Sequence, residues 1–129
     1  MLFRSDPVEL QKRTKQFAIR IIKLAQYLEK KGIVGVVIAK QILRSGTAVA
    51  ANYRAVCRAK SGKDFINKLG IVVEESDETQ FWLELLVEAA VISLEKISDL
   101  LKEASEITAI MTASKISAIK RHKIAASIC

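Results

Sequence analysis

Six carboxylates, Glu74, Glu75, Asp77, Glu78, Glu84 and Glu88, stand close enough in the chain for one to serve as a general acid while another serves as a base. One histidine, His122, and two cysteines, Cys57 and Cys129, complete the side chains that could act as base or nucleophile near neutral pH. This inventory excludes more than it supports. Nucleophilic catalysis of the Ser/His/Asp or Cys/His kind needs a histidine oriented by a third group, and His122 lies between Arg121 and Lys123, where a solvated ring is expected. A di-iron bundle needs inward carboxylates together with Glu-x-x-His pairs, yet the residue three before His122 is Ile119. No phosphate-cradling glycine loop occurs. The expectation is therefore no catalytic residue, no metal and no cofactor, with the carboxylates forming a charged face.

The cations carry the stronger signal. On a helix, Lys40, Arg44, Arg54 and Arg58 return to one narrow arc, and Lys12, Arg13, Lys15, Arg20 and Lys23 cluster on the helix before it. Such sets neutralise phosphates in a salt-sensitive, sequence-indifferent way, which makes all nine residues candidates for RNA or DNA contact. Groove-reading motifs and a supply of stacking aromatics are missing. The bland alternative is that these cations, Arg44 and Arg58 foremost, pair with acids of a neighbouring copy.

The net charge of +7 is unevenly spread: residues 1–60 carry +10, residues 61–114 carry −7 and the remainder +4. A basic and an acidic half fit both self-association and polyanion binding. At 129 residues the chain is one domain able to bury its own core. Half of it is hydrophobic and only 5% aromatic, with one Pro and five Gly, a mixture that favours helices. A mean hydropathy of +0.21 suggests apolar surface left over for other copies of the chain. No uninterrupted apolar run approaches the length needed to cross a bilayer, the longest, Ile33–Ala39, ending at Lys40. Met1–Asp6 lacks the pattern of a signal peptide, so a cytoplasmic protein without membrane contact is expected. Cys57 and Cys129 resemble no disulfide framework, and Cys57 reads as a small buried hydrophobe.

The elements that must position these groups are four helices over about 7–31, 34–60, 63–90 and 94–117, followed by a tail over 118–129. Asp6-Pro7 starts the first, and Phe17, Ile21, Leu24 and Leu28 give it one buried face. Ile33–Ile38 has a strand-like composition but no partner run to pair with, and its pattern continues at helical period. Gly46, flanked by several alanines, marks close backbone approach. Ser61 and Asp64 form a capping arrangement for the third helix. Asn52 and Glu75, both among apolar neighbours, read as a buried polar pair fixing register, and Trp82 as a core or interface residue. Short connections make this an all-α, antiparallel up-down-up-down four-helix bundle.

Within Leu43–Leu86, Arg44, Gly46, Thr47, Val49 and Asn52, then Phe65, Ile66, Lys68 and Leu69, and finally Glu75, Asp77, Glu78, Thr79, Trp82, Leu83, Glu84, Leu85 and Leu86 carry a recognisable pattern. It resembles the four-helix-bundle family named after proteins encoded in 23S ribosomal RNA intervening sequences. The resemblance implies a homopentameric ring with no established catalytic residues. It also implies kinship with the accessory bundle of diversity-generating retroelements, which works with a reverse transcriptase and nucleic acid. Where common members have a proline in the second helix, this chain has Ala50-Ala51, and Arg54-Ala55 replaces an acid-glycine pair, so an unkinked, more basic second helix is expected. The resulting expectation is a non-enzymatic, homo-oligomeric adaptor for nucleic acid or a nucleic-acid enzyme. The alternative is a purely structural, protein-scaffolding oligomer.

Overall fold

The computed structural model describes residues 6–128, so the signal-peptide reading of Met1–Ser5 and the thiol of Cys129 lie outside it. Four helices follow one another: α1 (Pro7–Leu28), α2 (Gly32–Val56), α3 (Gly62–Glu88) and α4 (Leu94–Ile128). Each packs against the next, while α1 and α4 meet more sparingly along the closing seam.

Local chemistry accounts for the boundaries. Asp6 caps α1 by accepting from the Val8 amide at 2.9 Å, and Pro7 occupies the first turn, where a missing N–H costs nothing. Gly32 turns the chain between α1 and α2 at a φ of +81°. Ser61 accepts from the Asp64 amide at 3.1 Å to start α3. After α3, Ala90 takes a left-handed φ of 58° while the Val91 amide donates to the Leu86 carbonyl at 2.9 Å, an αL stop made without glycine.

The core is one apolar column in which Phe17, Ile21, Leu28, Ile42, Leu69, Leu83, Leu86, Ile107 and Met111 are almost fully enclosed. Gly46 sits where α2 crosses α1, and a Cβ there would lie 2.7 Å from Ile21. The expected close approach is thus against Ile21. The polar middle of α3 is satisfied internally. Thr79 donates to Ser45 at 2.9 Å across the α2–α3 interface, and Ser76 bonds Thr108 at 2.6 Å across α3–α4. Buried hydroxyls placed this way fix the register of three helices, and among the described residues no buried side-chain polar atom is left unpaired.

Several expectations change. The strand-like Ile33–Ile38 is helical, and α2 is continuous. The first three helices stop two to four residues earlier than the sequence pattern suggests, and the segment read as a tail over 118–129 continues α4 to Ile128. Cys57 is exposed rather than buried, because α2 ends at Val56 and the thiol belongs to the connection beyond it. Asn52 and Glu75 do not pair: Asn52 Nδ2 donates to the Ala48 carbonyl one turn back at 2.8 Å, and Glu75 faces Arg44. α2 tolerates Lys40 and Arg44 within a span long and apolar enough to cross a membrane by length and composition. A helix that fills a bundle core meets the same test, and Ile38, Ala39, Ile42 and Val49 are spent on that core.

Candidate nucleic-acid interface

On α1, Lys12 and Lys15 stand one turn apart on the outward side beside α2. Arg54 and Arg58 occupy the corresponding positions on α2 and the connection after it. Because the two helices run antiparallel, all four converge on one groove of about 600 Å³. Its other lining residues include Thr47, Ala50 and Ala51, whose small side chains leave the floor low. The Thr47 hydroxyl is turned back to the Leu43 carbonyl at 2.7 Å, so the polarity of the groove comes mainly from its cations. No carboxylate lines it, and among the described residues none of the four cations makes an ion pair.

The remaining candidates separate from this cluster. Arg13 turns toward α4, where its guanidinium donates to both oxygens of Glu103 at 2.8 and 2.7 Å and to Glu106 at 2.8 Å. The Glu103 hydrogen bond leads in raising the Arg13 pKa above its ordinary value, and Arg13 holds the Glu103 carboxyl below the usual range. Arg44 turns toward α3 and bridges Glu75 at 3.2 Å and Glu78. Trp82 Nε1 donates to the same Glu78 at 3.0 Å and, with Arg44, lowers that carboxyl's pKa. Arg20 and Lys23 line a separate cleft with Tyr27 and Lys96 on the α1–α4 seam. Lys40 is exposed and lies in neither set. For Arg13 and Arg44 the acidic partners therefore belong to the same chain, which corrects the expectation that acids of a neighbouring copy would take Arg44. Both are also withdrawn from the free basic surface.

A family model described as 23S rRNA-intervening sequence protein matches residues 7–113. The chain belongs to that family. It is also similar to a crystal structure from Bacteroides thetaiotaomicron, a protein of unknown function from the S23 ribosomal protein family. The two share 37% identity over 84% of this chain and 96% of that one, with a TM-score of 0.77. No curated protein matches. In this member of the 23S rRNA-intervening sequence family, the α1–α2 groove lies within the matched span, whereas the last four turns of α4 lie beyond it.

Among the described residues no cluster of His, Cys, Asp and Glu has the makings of a metal site. The clustered carboxylates of α3 divide between structural work, Glu75 and Glu78 with Arg44, and exposed positions at Glu74, Asp77, Glu84 and Glu88. The sequence reading missed the division of the cations into clamped and unclamped sets. The signal for Lys12, Lys15, Arg54 and Arg58 was present as paired spacings of three and four residues on consecutive antiparallel helices. The distant partners of Arg13, ninety residues away, left no comparable trace.

Proposed function

We propose that this protein is a non-enzymatic, homo-oligomeric bundle that binds the phosphate backbone of nucleic acid in its α1–α2 groove and serves as an adaptor. The carrying observation is the convergence of Lys12, Lys15, Arg54 and Arg58 on a groove without a carboxylate. Four such cations on two walls suit a chain of phosphates, and the absence of aromatic lining suits binding indifferent to sequence. Self-association is supported by apolar side chains left on the surface, with Ile33 80%, Val34 52%, Val37 52% and Phe81 51% exposed. The family resemblance makes a ring of five the specific proposal, and a ring would multiply a weak groove by its subunit count. The reverse transcriptase of a retroelement is the class of nucleic-acid enzyme that the resemblance suggests as a partner.

The same exposed apolar residues favour a second reading, a scaffold that assembles without binding nucleic acid. Native mass spectrometry before and after nuclease treatment separates the two. The adaptor reading expects nuclease-sensitive mass on an oligomer and its loss in a K12E/K15E/R54E/R58E variant that still assembles. An oligomer of unchanged mass after nuclease, with no gel shift of RNA or DNA at low salt, would leave only the scaffold.

A further inference from the structure

A second cleft, separate from the basic groove, lies at the opposite end of α2 from the exposed Val34 and Val37. α4, with 35 residues, is much longer than α1 with 22, and its last turns stand beside the start of α3 and the connection after α2, walling off a space there. The cleft measures about 1040 Å³, at the upper end of the roughly 300–1,000 Å³ typical of small-molecule sites. Its inner wall is apolar: Leu69 is 1% and Ala118 6% exposed, with Phe65 packed against the core beside them. Three cationic or ionisable donors, Lys60, Arg121 and His122, stand among the lining residues, and no carboxylate does. The His122 ring is held close to the first turn of α3, since a Cβ on Gly62 would come within 3.3 Å of its Nδ1.

We infer that this cleft binds a single-chain anionic amphiphile, its alkyl chain along Phe65, Leu69 and Ala118 and its carboxylate or phosphate head between Lys60, Arg121 and His122. Charge complementarity selects the anion, because an apolar enclosure rimmed by donors of one sign penalises a cationic head and leaves a neutral one without an ion pair. The apolar wall of Phe65, Leu69 and Ala118 suits an alkyl chain, and Ser61, Ser114 and Ser117, which also line the cleft, offer hydroxyl donors to its polar head. Most of the α4 wall lies beyond residue 113, outside the span matched by the family model.

Cys57 lines the same cleft with an exposed thiol and offers a reporter. In the full chain carrying Cys129→Ser, the rate of maleimide labelling at Cys57 is measured with increasing dodecanoate below its micellar range. Saturable slowing of at least about fivefold, lost in Ala118→Trp and weakened about tenfold in Arg121→Glu, is the expected result. Circular dichroism verifies that both variants remain helical, and the exposed Arg121→Glu keeps the test decisive if Ala118→Trp does not fold. The inference is overturned by unchanged labelling. Equal protection by dodecyltrimethylammonium, or protection by phosphatidylglycerol vesicles but not by dodecanoate, overturns it too. Labelling that is already slow without ligand and speeds up on dilution of the protein also overturns it, since a second copy then fills the cleft.

Discussion

On the two flanks of the α1–α2 pair, Arg13 and Arg44 are each clamped by two glutamates, whereas on the face between them Lys12, Lys15, Arg54 and Arg58 meet none among the described residues. Composition does not separate these sets, and neither does helix phase alone, since Arg44 and Arg54 share one arc; the helix packed beside each residue does. A residue turned toward α3 or α4 meets the acidic half of the chain, and one turned along the α1–α2 seam meets only the basic half. Clamped cations hold helices together and are already neutralised locally. Unclamped ones keep their charge for an external anion.

The sharpest way to break this contrast is charge reversal. Arg54→Glu with Arg58→Glu is expected to weaken binding of a short RNA by about 100-fold in fluorescence anisotropy, while Glu75→Gln with Glu78→Gln is expected to strengthen it only a fewfold by releasing Arg44. Equal losses from both pairs would erase the distinction. A second test disturbs the seam itself. Gly46→Val drives a side chain into Ile21 and is expected to cost about 2–3 kcal/mol in urea denaturation. Combined with Ile21→Ala, the total loss should fall short of the sum of the single losses by about 1 kcal/mol or more. Strict additivity would mean that Ile21 does not set the approach of the two helices.

The clamped set makes a pH prediction. Arg13 depresses the Glu103 pKa in the folded protein, so this pair stabilises at pH above the unfolded carboxylate's value and its contribution disappears as pH falls through the lower folded value. Arg13→Ala is expected to cost about 1 kcal/mol at pH 7, discounted for partial exposure, and less than half of that at pH 3. A cost independent of pH would assign Arg13 a packing role. The smallest effect concerns the hydroxyls under the Arg44 clamp. Thr79→Val alone should cost about 1 kcal/mol, and Thr79→Val with Ser45→Ala less than that, because the double change leaves no orphaned partner.

The helical class, the helix order and much of the core were legible because apolar residues such as Phe17, Ile21, Leu24 and Leu28 repeat at helical period. Asp6-Pro7 and Ser61 announced two of the starts for the same local reason. The end of α4 was hidden because residues 115–127 contain no acids and only a weak stripe, and the helix there gains little from core packing. Asn52 misled because its amide can satisfy itself on the Ala48 carbonyl, a backbone bond that sequence neighbours do not reveal. Of the nine basic candidates, the four in the groove are distinguished by which neighbour each helix face meets, and that depends on side-by-side placement of helices rather than on spacing within one.

The salt dependence of binding tests the central claim most directly. For the wild-type chain, the logarithm of the association constant for a single-stranded RNA should fall against the logarithm of salt with a slope of about −3, and neutralising Lys12, Lys15, Arg54 and Arg58 in turn should flatten it by about 0.7 each. A slope that these substitutions leave unchanged, or one that flattens equally on neutralising Lys40, would contradict the α1–α2 groove as the phosphate site.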